Sequence, residues 1–136
     1  MCIRDSAKSY AKLSFLGSSR GAYGACRYAD LATGLVFALS PLRADVRWRR
    51  DDEDADDFPR ERSGAIDATL LLHVGRRNHR DVAVAERIKR HIPNATIVLV
   101  PSAGHGPDLY RPAATLDSVV RTALLSVSDT PPPPPP

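Results

Sequence analysis

Three short runs in this chain are apolar almost without interruption: Leu35-Val36-Phe37-Ala38-Leu39, Ala68-Thr69-Leu70-Leu71-Leu72-His73-Val74 and Thr96-Ile97-Val98-Leu99-Val100. Each is closed by turn residues, Ser40-Pro41, Gly75 and Pro101 in that order. A half-exposed strand alternates apolar with polar residues. Continuous apolar runs of this length therefore predict strands covered on both faces, the habit of parallel sheets sandwiched by helices. A further strand is expected earlier, over Lys12-Leu13-Ser14-Phe15-Leu16. Helical patterns fill the gaps. Ala22 to Ala29 is helix-prone and is expected to end near Ala32-Thr33-Gly34, with Gly34 as its stop. Asp81 to Ile92 places Ala85, Ile88 and Ile92 on one helical face before Pro93-Asn94 breaks it. Leu116, Val119, Val120, Ala123 and Leu124 mark the core face of a closing helix. The alternation predicts an α/β fold, a parallel sheet with flanking helices, in which right-handed crossovers lay the strands side by side in chain order.

Between Leu42 and Ile66 the composition changes abruptly. Arg47-Trp48-Arg49-Arg50 meets Asp51-Asp52-Glu53-Asp54-Ala55-Asp56-Asp57, then Phe58-Pro59-Arg60-Glu61-Arg62. Residues 43–66 are expected to form an exposed, poorly packed insertion. The acids are adjacent rather than spaced as in a calcium loop and have basic neighbours, so no metal site is expected; Trp48 and Phe58 are the residues that would touch a partner. Pro131 to Pro136 reads as a disordered or polyproline II tail over 128–136. At the other end, Met1-Cys2-Ile3-Arg4-Asp5-Ser6 looks like the in-frame translation of a transposon mosaic-end sequencing adapter. On that reading residues 7–127 hold a partial domain cut from a longer gene, and Cys26 is the sole native thiol.

One cysteine gives no internal disulfide, so nothing marks an oxidising compartment and a cytoplasmic protein is the simpler expectation. The net charge of +3 is modest, basic and acidic residues are interleaved, and aromatic residues are few. Nucleic-acid binding has little support in such a composition. No apolar run approaches the roughly 20 residues of a membrane span.

Chemistry in a parallel sheet collects beyond the carboxyl ends of its strands. Gly17-Ser18-Ser19-Arg20-Gly21 follows the first strand and precedes a helix, so Ser19, with glycine two residues to either side, fits a strained strand-to-helix turn that pushes its hydroxyl out of the sheet. Ser18 would be flanked by Leu16 and Arg20, both too large for that turn. Asp81 follows the third strand, and His105, in Gly104-His105-Gly106, follows the fourth. A serine hydroxyl becomes a useful nucleophile when a base takes its proton, and the base needs a carboxylate to fix its tautomer. Ser19, His105 and Asp81 supply nucleophile, base and acid at one edge.

Their chain order, together with Phe15 to Ala25, the strand ending in Ser40-Pro41, Gly75 with Asp81, and Gly104-His105, resembles the C-terminal half of an α/β-hydrolase over residues 11–126. The resemblance implies hydrolysis of an ester, thioester or amide in a small-molecule or acyl substrate, without a cofactor. It also implies an oxyanion-hole donor at the backbone N–H of Arg20, with a second donor on a loop upstream of these residues.

The acid position stays open between Asp81 and Asp45, which follows the second strand. Asn78 marks where a shorter loop would put the acid, but an amide carries no charge. Asp67 lies at the wrong edge and Asp108 breaks the chain order. Ser19 as a plain helix N-cap and Asp81 as another are the simpler structural readings. His73 is expected to be a satisfied core histidine, His79 and His91 to be surface residues, and Cys26 a packing residue. Arg20 would project over the cleft or lie exposed beside it. Two rivals remain: a phosphate- or nucleotide-binding module built on the Gly17–Gly21 turn, and a catalytically silent relative serving as an interaction domain.

Overall fold

The computed structural model describes residues 12–42 and 66–128. Most of the expected insertion, with Asp45, Trp48 and Phe58, lies outside these residues, as do the tail beyond Ser128 and the first eleven residues. Four strands, β1 (Phe15–Ser18), β2 (Leu35–Leu39), β3 (Thr69–Gly75) and β4 (Thr96–Val100), pair in parallel in the order β1-β2-β3-β4. Helix α1 (Arg20–Arg27) links β1 to β2, α2 (His79–His91) links β3 to β4, and α3 (Ala113–Ser128) closes the chain. Short 3₁₀ turns lie at Ala29–Leu31 and Gly106–Leu109. The expected α/β architecture is the one observed.

All five residues of β2 are buried, because the sheet is covered on both sides. Val36 and Ala38 join Leu70, Leu72 and Val74 of β3 beneath α1 and α2, which contribute Ala22, Ala25, Cys26, Val84, Ala85 and Ile88. Leu35, Phe37 and Leu39 point the other way, towards Leu109, Tyr110 and the α3 face of Leu116, Val119, Val120, Ala123 and Leu124. Small residues on α1 let that helix sit close to the sheet. Burial of each large aliphatic side chain in these layers is worth about 1.5–3 kcal/mol. Ile66, placed in the insertion by composition, packs against the first layer, and its carbonyl accepts from Asn94 Nδ2 at 3.0 Å.

The first crossover departs from expectation. β1 starts at Phe15 rather than near Leu13, and Gly17 and Ser18 belong to the strand, paired with Ala38 and Leu39. Side-chain hydroxyls explain the late start: Leu13 N donates to Thr33 Oγ1 and Leu35 N to Ser14 Oγ, both at 2.9 Å, in place of ladder bonds. α1 stops at Arg27, short of Gly34. Gly34 is a crossing point instead of a left-handed stop, since a Cβ there would lie 2.4 Å from Ser14 Oγ. Helix α2 begins two residues before Asp81, capped by Asn78. Among the described residues no helix is long and apolar enough to cross a membrane.

Candidate active site

Ser19 sits alone between β1 and α1 with φ 56° and ψ −118°, a conformation that costs a non-glycine residue about 1–3 kcal/mol. Besides the bond that Tyr23 N of α1 donates to its carbonyl, two backbone hydrogen bonds hold it from outside the helix: Ser19 N donates to Leu39 O at 2.9 Å, and Leu42 N donates to Ser19 O at 3.0 Å. Both tie the turn to the exit of β2. The hydroxyl occupies the position of a helix N-cap yet makes no capping bond. It meets His105 Nε2 at 3.0 Å instead, so the N-cap reading of this serine does not describe what its side chain does.

The glycines around it are not equivalent. A Cβ on Gly17 would lie 2.4 Å from the carbonyl oxygen of Gly21, a backbone atom that cannot move without distorting α1. A Cβ on Gly21 would meet nothing within 4 Å. The turn thus requires the first glycine of the motif; nothing among the described residues crowds the second.

His105 Nδ1 lies 2.7 Å from Asp81 Oδ2. A carboxylate only accepts, so Nδ1 carries the proton and Nε2 presents its lone pair to the Ser19 hydroxyl. The exposures differ sharply: Asp81 is 2% exposed and the His105 side chain 38%. The acid is enclosed while the imidazole is partly exposed. Asp81 occupies the third position of α2, where the helix dipole favours an anion. Asn78, as N-cap, accepts from Asp81 N at 3.2 Å and donates Nδ2 to Asp81 Oδ2 at 3.0 Å and to Gly104 O at 3.3 Å. That amide joins the acid to the loop carrying the histidine, a role different from the shorter-loop acid considered for it. A capping pattern, Asn followed three residues later by Asp, is the signal that marks it in sequence.

Ser40 was legible only as the close of β2. It is fully buried with φ 46°, and its Oγ accepts from Gly106 N at 2.8 Å. Gly106 needs to be glycine, having φ +60° and room for a Cβ only 2.8 Å from Ser18 Oγ. Arg77 N donates to Ser102 O at 3.1 Å, and Ser102 Oγ accepts from Gly104 N at 2.9 Å. The His105 loop is fastened on both sides of the histidine.

Arg20 is exposed at the first position of α1, so its N–H is one of the first-turn donors that have no intrahelical acceptor. The ring nitrogens of His105 are met by Asp81 and Ser19, not by Asp67 or Asp108, and the Asp108 carboxylate accepts from Arg111 at 2.8 Å. Burial pushes the Cys26 thiol up to about 12, which makes it a packing residue. His73 corrects an expectation. It is buried, with Nδ1 2.5 Å from the Tyr110 hydroxyl, but its Nε2 has no partner among the described residues, so these leave it half satisfied; burial lowers its pKa to about 4. His79 is exposed and His91 half-buried. Among the described residues no group of three or more His, Cys, Asp or Glu side chains could hold a metal ion. Comparisons with protein-family models, curated proteins and solved structures give no match to this chain.

Proposed function

We propose that the protein is a serine hydrolase of the α/β-hydrolase type, acting on an ester, thioester or amide with Ser19 as nucleophile, His105 as base and Asp81 as acid. The observation that carries this reading is the unbroken relay from buried carboxylate to imidazole to hydroxyl, at 2.7 Å and 3.0 Å, drawn from three separate strand exits. A structural histidine has no need of a strained serine. The phosphate-cradling alternative needs free N–H groups around the turn, and that of Ser19 is committed to Leu39 O.

In the proposed reaction Ser19 Oγ attacks the substrate carbonyl carbon while His105 Nε2 takes its proton. Asp81 stabilises the imidazolium and keeps the ring oriented without itself taking the proton. The carbonyl oxygen becomes an oxyanion, which the backbone N–H of Arg20 meets at the start of α1. Collapse breaks the bond to the leaving group, which receives the proton from Nε2. Water then attacks the acyl-serine, again giving its proton to Nε2, and the acid is released as Ser19 recovers its hydrogen.

The test is a pre-steady-state one, made on the product of the complete reading frame that carries this sequence. Excess p-nitrophenyl butyrate should give a burst of p-nitrophenolate equal to the protein present, with a butyryl group on Ser19 in the acid-quenched digest. A folded protein that gives neither burst nor adduct would fit the catalytically silent interaction domain instead.

A further inference from the structure

We infer that the site takes acyl substrates bearing an anionic group, a carboxylate or phosphate, set back from the reacting carbonyl and met by the arginines that line the carboxyl edge of the sheet. The inference rests on the proposed hydrolase reading and adds a substrate class to it. Arg20 leaves the turn directly after Ser19, on the nucleophile's side. Arg76 and Arg77 leave β3 on the other side, and their backbone N–H groups bond Val100 O at 2.8 Å and Ser102 O at 3.1 Å. They are thereby fixed against the loop that presents His105. Arg80 follows in the first turn of α2. All four are exposed.

Among the described residues, the two acids that follow β3 and β4 at this edge are engaged. Asp81 is buried and holds His105 and Asn78, and Asp108 pairs with Arg111 at 2.8 Å. Among the described residues, none of the four arginines shares an ion pair, so the exposed charge that these residues place at this edge is basic. Such a rim raises the local concentration of anions and speeds their capture. Guanidinium also matches the planar oxygen pairs of carboxylate and phosphate with parallel hydrogen bonds, which a neutral acyl chain cannot use.

Three fluorophosphonate probes of matched chain length, ending in a methyl ester, a carboxylate or a phosphonate, test this on the product of the complete reading frame. At low salt the carboxylate or phosphonate probe should label Ser19 about tenfold faster than the ester, and the faster of the two identifies the anion preferred. The ratio should fall towards one in about 1 M sodium chloride, where the screening length is about 3 Å. It should also fall in Arg76→Gln/Arg77→Gln, fall by a similar amount in Arg77→Glu, and be only partly retained in Arg77→Lys, which keeps the charge but not the parallel hydrogen bonds. Equal labelling by all three probes, or a preference unmoved by salt and by the arginine substitutions, overturns the inference and leaves the hydrolase reading standing. Failure of every probe to label the folded protein removes both.

Discussion

Two histidines of this molecule, His73 within β3 and His105 in the loop after β4, have opposite surroundings. His105 has a partner at each ring nitrogen and is more than a third exposed. His73 is buried in β3 against the Phe37 ring at 4.4 Å, bonded at Nδ1 to Tyr110 and, among the described residues, unpartnered at Nε2. The contrast teaches that burial alone does not make a base. A base must hold one nitrogen fixed by a carboxylate, offer the other to a hydroxyl, and leave room for substrate. Among the described residues His73 has no carboxylate partner, and it is buried; its imidazole packs against Phe37 and Tyr110.

The largest expected effect separates the two directly. In the proposed reading His105→Ala nearly abolishes acylation of Ser19, whereas His73→Leu, which keeps the volume and removes the half-satisfied ring, retains it. A comparable loss of turnover in a folded His73→Leu protein would break the comparison. Asp81→Asn keeps the shape but removes the charge that sets the His105 tautomer, and should lower kcat by about 10⁴-fold. Asp45→Asn is the control: if that variant falls by this amount and Asp81→Asn does not, the acid has been misassigned while the serine and histidine roles stand.

A smaller effect tests His73 through stability rather than catalysis. Its ring is held neutral, with a pKa lowered from 6.5 to about 4, so the unfolded chain binds more protons between those values. Stability is therefore full above pH 6.5, declines as pH falls towards 4, and levels off below. The span corresponds to a loss on the order of 3 kcal/mol. Urea denaturation across this range, compared with His73→Leu, reads the contribution as a difference between the two slopes. Identical slopes would mean that His73 is hydrated or protonated in the folded protein.

The smallest effect concerns how His105 is held. Asn78→Ala removes the α2 cap, worth about 1 kcal/mol, and the amide that joins Asp81 to the Gly104 carbonyl. Because it also loosens the acid beneath the imidazole, kcat should fall by roughly tenfold to a hundredfold with KM little changed. Asn78→Ser, which restores the cap but cannot reach Gly104 O, should recover the stability and not the rate. Recovery of both would reduce Asn78 to a helix cap.

These dependences also explain what was legible in the chain. The starts of β2, β3 and β4 fall at Leu35, Thr69 and Thr96 because continuous apolar runs bounded by turn residues admit little else. β1 lacked that boundary, and the bonds from Leu13 and Leu35 to the hydroxyls of Thr33 and Ser14, across some twenty residues, set its start. Ser19, Asp81 and His105 could be gathered at one edge from topology alone. Ser40 could not, since its role depends on a contact with Gly106, 66 residues away. The orphaned nitrogen of His73 was equally hidden, for a strand pattern gives burial and not hydrogen-bond count.

The relay stands or falls on the reactivity of one hydroxyl. Treatment of the product of the complete reading frame with a neutral fluorophosphonate, followed by peptide mapping, should place the adduct on Ser19, with labelling absent in Ser19→Ala and reduced close to background in His105→Ala. An adduct that persists in Ser19→Ala, or a folded wild-type protein that never labels, would contradict the account.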